Sequence, residues 1–525
     1  MSRIARNISA VAAAFVSNTL LTFLQIKLIT RYLSQAAVGE YSATVAMGAV
    51  ISALAQAGLP TVVLRFTAKY DALEAPGRIG RLLVLSWGVV LGLSLLLLAA
   101  EAGLAPSLLP RLYDVPPAAA NVLLATAVFV AMALRQVTYA GFDGLRRMSY
   151  PAILENLNVA AITLAIAIAG DQLSVSFLLT LSLISGLATF LLATVLLLRL
   201  LSQSRPAHRM PVETNSLLTD ISPFWWGAAL GGLVGIGLGY ADKLLVSLFL
   251  SFQMVSIFYV AERITFLLKR LLSVPLQVSS PEITRRWELG RREELRRDVA
   301  FLIKIQFALG VLVTSLIFVG AEAAVLIVSN SSFMEAAGLL RVLTLSIVLM
   351  SFYAPITTLL RAIERIQLAL FSDVLWLGLY VGLGMAWMPR LGLMGIVLAQ
   401  VAASGAAAIW NLAIGQRVAR IAWDLPGIAR VLACGLVLAA PGYGVVRLAG
   451  ARQPALGLAV AFILLVAYNL LLVRSGALTV EDRRRFRELA GRGRLATMLD
   501  LALFWPAQLG RGRSTAATPK DAASH

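Results

Sequence analysis

Cysteine and histidine are nearly missing from this sequence. The one cysteine, Cys434, excludes an intramolecular disulfide and reads as a buried free thiol within an apolar stretch. The two histidines, His208 and His525, fall in a polar loop and at the last position. They leave almost no material for a zinc site or for histidine acid–base catalysis, so no metal and no cofactor is expected. Charge is scarce as well, at 14% of 525 residues, far below what the surface of a water-soluble chain of that length requires. No GxxxxGK[ST] phosphate loop occurs, which argues against an ATP site. The longest loop on the outer side, about 101–118, is too short to fold as a domain, and its carboxylates are Glu101 and Asp114. A membrane glycosyltransferase or polymerase would normally present a large outer loop with carboxylates, so an enzyme is not expected.

Apolar residues are there in excess. They make up 59% of the chain, and mean hydropathy is +0.83. Runs of about 18 or more mostly apolar residues recur from end to end, the signature of transmembrane helices. The first run could pass for a signal peptide, but Gln25 and Lys27 interrupt its end and no small-residue cleavage site follows. It reads as a retained helix. The expected spans are 8–30, 37–59, 82–104, 118–140, 152–170, 174–198, 221–249, 254–275, 300–319, 336–358, 367–388, 392–413, 430–446 and 455–473. The fold class expected is an all-α polytopic membrane protein of about 14 helices.

The formal net charge is +18, and its location is more informative than its size. With the N-terminus placed inside, about 34 of the lysines and arginines fall in cytoplasmic segments and about five in outer loops, which puts both termini in the cytoplasm by the positive-inside rule. This distribution accounts for the basic isoelectric point without nucleic acid as a partner.

Two regions resemble each other at an offset of about 217. "LSQAAVGEY" (33–41) aligns with "LSFQMVSIF" (250–258), "RFTAKY" (65–70) with "EITRRW" (282–287), and Asn156 with Asp373; "GLRRMSY" (144–150) aligns with "LLRAIER" (359–365) at nearly the same offset. Six spans separate the copies and return the chain to the same side, so the repeats are parallel. The expected organisation is an N-terminal six-helix lobe (1–201), a polar linker (202–219), a C-terminal six-helix lobe (220–414), an extra helix pair (415–474) and a basic, interfacial tail (475–525). "SPEITRRWELGRREELRRD" is too charged to span and reads as one amphipathic cytoplasmic helix. In the tail, "LTVEDRRRFRELAGRGR" reads as a Thr-capped basic helix, "LATMLDLALFWPAQ" as an interfacial segment, and the last residues as disordered.

Charges inside the spans are the candidate functional residues, because each costs roughly 2.5–3.5 kcal/mol at mid-bilayer. Asp242 and Lys243 sit side by side deep in the seventh span. Chain neighbours on a helix point about 100° apart, so the two are not expected to face each other, and at least one should look toward another partner or water. Gly227, Gly231, Gly235 and Gly239 form an every-fourth row that Lys243 continues. Such a row favours close helix packing, with bending as the alternative. At the equivalent place in the first lobe stand Gln25, Lys27 and Arg31; Glu262 and Arg263 lie in span eight, while Arg135 and Arg341 read as structural. Lys27 and Arg31 equally suit snorkelling to the interface, and Asp242 with Lys243 a structural interhelical pair. The sharper reading is a wet, net-positive cleft lined by the first helix of each lobe, suited to an anionic solute.

The sequence resembles the polysaccharide-transporter branch, the lipid-linked oligosaccharide flippases, of the multidrug/oligosaccharidyl-lipid/polysaccharide flippase superfamily. The likeness rests on "RNISAVAAAFVSNTLLTFLQIKLITRYLSQAAVGEYSA", with Arg31-Tyr32-Leu33 before Val38-Gly39-Glu40-Tyr41. It rests also on "QAGLPTVVLRFTAKY", on "YADKLLVSLFLSFQMVSIFYVAERI" and on "LTVEDRRRFREL". Ser34 and Ser256 stand where glycine is frequent, and Gln25 and Lys27 where the peptidoglycan-precursor branch carries arginines. The resemblance implies two six-helix lobes in a V that opens alternately to each side. Its implied substrate is a polyprenyl-diphosphate-linked oligosaccharide, moved outward across the bacterial inner membrane for surface polysaccharide biosynthesis. The expected substrate cleft comprises Gln25, Lys27, Arg31, Lys243 and Arg263, with Asp242 and Glu262 as candidate ion-coupling carboxylates. Membrane lipids, and a coupling cation or the membrane potential, complete the expected partners. The alternative is a drug/cation antiporter of the same fold, which should show a cleft dominated by carboxylates.

Overall fold

Hydropathy and helix formation coincide along the chain. The computed structural model describes residues 3–113, 116–203, 214–421, 424–448, 454–479 and 481–485. Among them every regular element is helical. The first seven helices are α1 (Arg3–Tyr32), α2 (Gln35–Gln56), α3 (Leu59–Ala72), α4 (Pro76–Leu112), α5 (Ala119–Gly144), α6 (Ser149–Ala169) and α7 (Val175–Gln203). Next come α8 (Thr214–Phe249), α9 (Phe252–Leu272), α10 (Val274–Glu288), α11 (Arg292–Val328), α12 (Ala336–Leu343) and α13 (Leu345–Ala362). The last four are α14 (Ile366–Leu391), α15 (Leu393–Ala419), α16 (Leu425–Leu448) and α17 (Pro454–Arg474). Eleven helical stretches among the described residues are long and apolar enough to cross a membrane. The protein is an all-helical, multi-pass membrane protein.

Every expected span falls mainly on helix: the tenth covers α12 and α13 together, and the second and eighth run past the ends of α2 and α9 to the first residues of α3 and α10. The repeat is visible in the helix order itself. Helix starts at Gln35, Leu59, Pro76, Ala119 and Ser149 are answered by Phe252, Val274, Arg292, Ala336 and Ile366, each about 217 residues further on. Even the strained turns recur: Arg146 and Glu364 close equivalent connections with φ of 58° and 61°.

Two local expectations change. The charged segment around 281–298 is not one helix, since α10 stops at Glu288 and the turn through Leu289–Arg291 starts α11. Glu293 and Glu294 then occupy the first turn of α11, where carboxylates complement the helix dipole. Within the expected linker 202–219, the described residues at both ends are helical, α7 reaching Gln203 and α8 starting at Thr214. The interfacial segment 495–508 and the disordered residues beyond it lie outside the described residues, as do Asp114, His208 and most of the Thr-capped basic helix.

Compactness groups the chain into two units. The first comprises Met1–Ala261, Ile327–Ala336 and Asp373–Ala399. Its core joins α3, α4 and α5 through Val62, Val63, Phe66, Leu83, Val137 and Phe142, with Leu217 and Ile221 of α8 packed on it. Here α2 buries a face of small residues, including Ala43, Ala46, Ala49 and Ala53, and Ser52 donates to the Phe129 carbonyl of α5 at 2.9 Å. Small side chains let helix backbones approach closely where lipid supplies no hydrophobic drive. The second unit comprises Glu262–Leu326, Ala337–Ser372 and Gln400–His525. It packs α11 with α13, α16 and α17 through Leu302, Ile303, Ile356, Leu359, Val431 and Leu472, and Tyr468 donates to the Ala308 carbonyl at 3.0 Å.

Candidate functional site

The seventh-span charges are built by α8. Asp242 and Lys243 are 7% and 2% exposed, so both are taken out of solvent. They do pair with each other: Lys243 Nζ lies 3.1 Å from Asp242 Oδ1 and 3.2 Å from Oδ2. The 100° step between neighbours separates their Cα–Cβ bonds but not the ends of their side chains. The flexible four-carbon stem of lysine folds back across the 100° step, and Nζ also reaches the Gly239 carbonyl at 3.3 Å. Asp242 Oδ1 accepts the Lys243 backbone N–H at 2.7 Å as well, which fixes the carboxylate. The Tyr240 ring lies 5.7 Å from the ammonium.

The glycine row on α8 is not a packing face. A Cβ added at Gly227, Gly231, Gly235 or Gly239 would meet nothing within 4 Å. Close approach is made instead by Gly58, whose φ of 72° and whose contact with the Ala228 backbone both exclude a side chain. Trp225 fastens the same crossing by donating to the Ala57 carbonyl at 2.7 Å. The row therefore runs along an open face of α8 and ends at the buried ion pair.

In the first repeat, Gln25 occupies the position equivalent to Asp242, about 217 residues earlier. Gln25 and Lys27 are half-buried, while Arg31 is exposed, its guanidinium 5.6 Å from the Tyr32 ring. Lys27 Nζ donates to the Ser329 carbonyl in the turn after α11. Glu262 and Arg263 are half-buried on α9, in the second unit. Of the cations read as structural, Arg135 pairs with Glu155 at 3.2 Å and Arg341 pairs with Glu322.

Sequence reasoning missed a set of polar contacts at one end of the first unit. Asn330 Nδ2 donates to the Thr30 carbonyl at 2.6 Å, and Gln35 Nε2 donates to the Ser332 carbonyl. Tyr113 meets Ser247 hydroxyl to hydroxyl at 3.2 Å. These link side chains on short turns to helix ends far away in sequence, and hydropathy carries no signal for that. The repeat offset alone points to them, since Tyr113 and Asn330 are equivalent positions.

A family model described as polysaccharide biosynthesis protein matches residues 4–287. The chain belongs to that family. Among solved structures, this family member resembles a lipid II flippase MurJ in an inward closed conformation, with a TM-score of 0.67 and 12% identity over 89% of this chain and 99% of that one. It also resembles an inward-facing multidrug resistance MATE family transporter of the MOP superfamily, with a TM-score of 0.61 and 17% identity over 76% and 94%. A third match is a MOP superfamily transporter from Pyrococcus furiosus, described as having a binding pocket of reverse polarity that suggests a different function; its TM-score is 0.57 and its identity 18%, over 79% and 95%. The fold is that of MOP-superfamily transporters. No curated protein matches the sequence.

The geometry gives the motifs of this family member physical roles. A Cβ at Gly39 would collide with the Phe252 backbone, so the start of α2 can lie against the start of α9 only with glycine there. Glu40 Oε1 accepts Asn121 Nδ2 at 2.9 Å and the Ala118 N–H at 3.3 Å, capping α5 from α2. In the "LTVED" segment, Thr479 and Asp482 cap each other's backbone N–H groups, and Lys304 of α11 reaches Asp482 at 2.9 Å and Asp424 at 2.8 Å. Burial works to raise the Asp424 carboxyl, but hydrogen bonds from Lys304 and the Gly427 N–H, with the charges of Lys304 and Arg430, hold it below the ordinary aspartate range.

Proposed function

We propose that this protein is a secondary transporter that moves a polyprenyl-diphosphate-linked oligosaccharide outward across the bacterial inner membrane, for surface polysaccharide biosynthesis. The observation that carries the reading is the placement of lysines on the first helix of each repeat, Lys27 on α1 and Lys243 on α8, in a polysaccharide biosynthesis protein with the MOP-superfamily fold. A diphosphate with sugars does not cross hydrocarbon unaided, and cations bordering a wet cleft lower that barrier while the lipid tail stays in the bilayer. The open glycine row on α8 supports such a border, because it leaves room beside the helix up to the ion pair.

In this reading Gln25, Lys27, Arg31, Lys243 and Arg263 line the substrate path. Asp242 and Glu262 are the carboxylates for ion coupling, and Asp242 serves only by exchanging its Lys243 contact for the incoming cation. We also place α1, α9 and α17 in the membrane, for about fourteen crossings with both termini cytoplasmic. The lobes are 1–201 and 220–414, followed by the helix pair 415–474.

Deleting the gene tests this. The expected result is loss of one surface glycan with its lipid-linked precursor accumulating inside the cell. An unchanged glycan profile with new drug sensitivity would replace this reading by the drug/cation antiporter.

A further inference from the structure

We propose that Asn330 with Thr30, and Tyr113 with Ser247, form a duplicated latch that holds one end of the first unit shut and releases during transport. The inference rests on the transport reading above and adds a device to it. All four residues belong to the same compact unit. Tyr113 and Asn330 each sit in the connection following the long fourth helix of their repeat, about 217 residues apart, and Thr30 and Ser247 are separated by the same offset. Each turn thus reaches the end of the other repeat's first helix.

Asn330 is pre-aimed. Its Oδ1 accepts the Ser332 N–H at 2.9 Å, which turns its Nδ2 toward the Thr30 carbonyl at 2.6 Å. That carbonyl lies in the last turn of α1, where helix carbonyls lack intrahelical donors. Lys27 and Gln35 brace the same turn through the Ser329 and Ser332 carbonyls. The other copy is more apolar: Tyr113 packs with Phe252 and Met47 around its hydroxyl contact. A handful of side-chain hydrogen bonds on turns is the kind of contact that forms and breaks without unfolding a helix.

The test uses the full chain with Cys434→Ser and a reporter at Gly235→Cys, about three turns before Ser247 on the open row. A membrane-impermeant maleimide is added from the side on which α1 and α8 end. Asn330→Ala with Tyr113→Phe should raise the labelling rate severalfold, and Asn330→Ala alone should raise it more than Tyr113→Phe alone. Asn330→Asp, which keeps the shape and removes the donor, should behave as Asn330→Ala does. In a second arm, Gln35→Cys with Ser332→Cys, oxidised to a disulfide, should stop transport until reduced. Labelling that is unchanged in the double variant, or transport that continues through the disulfide, overturns the latch. Labelling needs no substrate, so a latch that responds in cells with an unchanged glycan profile would remove the substrate assignment and leave the latch standing.

Discussion

Lys243 folds back onto Asp242, its own chain neighbour, with its ammonium 3.1 and 3.2 Å from the two carboxylate oxygens. A buried pair of this kind contributes little net stability, yet removing one partner strands a charge and costs about 3–5 kcal/mol. Lys243→Ala or Asp242→Asn alone should therefore lower the thermal midpoint of the detergent-solubilised protein sharply. The double variant D242N/K243Q should recover much of that loss. If the double is as unstable as the singles, the pair is not the unit described here.

Lys27 and Arg31 separate function from folding. Arg31 is exposed, so Arg31→Ala should change stability by no more than about 0.5 kcal/mol. Lys27→Met removes the donor to the Ser329 carbonyl together with a cation of the proposed substrate path. Both variants should reach normal membrane levels, and precursor export should fall in both, more in Lys27→Met. Wild-type export by both would remove the positive cleft from the account.

Gly39→Val tests the crossing of α2 and α9. Its Cβ would fall on the Phe252 carbonyl, and a backbone atom does not yield as a flexible side chain does. Membrane levels should drop severely. Gly231→Ala adds a methyl into open space on α8 and should leave levels unchanged. Equal levels of the two variants would contradict the packing described.

The Asp424–Lys304 contact makes a pH prediction. The folded carboxyl sits below its ordinary value, so its contribution is fully present above the unfolded aspartate pKa of about 3.9 and is lost as pH falls through the folded value. Thermal midpoints followed in detergent from about pH 6 to about pH 2.5 should fall more steeply for the wild type than for Asp424→Asn. Parallel curves would mean that the contact carries no linkage.

Much of the fold was legible because its cause is local. Apolar runs locate helices, and a repeat of about 217 residues survives in weak matches such as "LSQAAVGEY" with "LSFQMVSIF". The candidate site was legible only as a set of charges inside apolar spans. Pairing of Asp242 with Lys243 was hidden because helix periodicity describes Cα–Cβ directions and not where a long side chain ends. The α8 glycines suggested a packing face, whereas the close-packed small residues lie on α2, in alanines that look like ordinary apolar sequence. Asn330 and Tyr113 went unnoticed, and Glu40 stood only as a motif letter, because their partners are turns and helix ends far along the chain.

The central claim is that anionic, lipid-linked glycan crosses through this protein. Purified protein reconstituted into vesicles carrying a labelled polyprenyl-diphosphate oligosaccharide measures this directly, with the label on the outer leaflet read by an impermeant glycosidase. The account predicts that nearly all label becomes accessible within the assay in vesicles with wild-type protein, and far less with the D242N/K243Q variant. Accessibility no greater than in protein-free vesicles would contradict it.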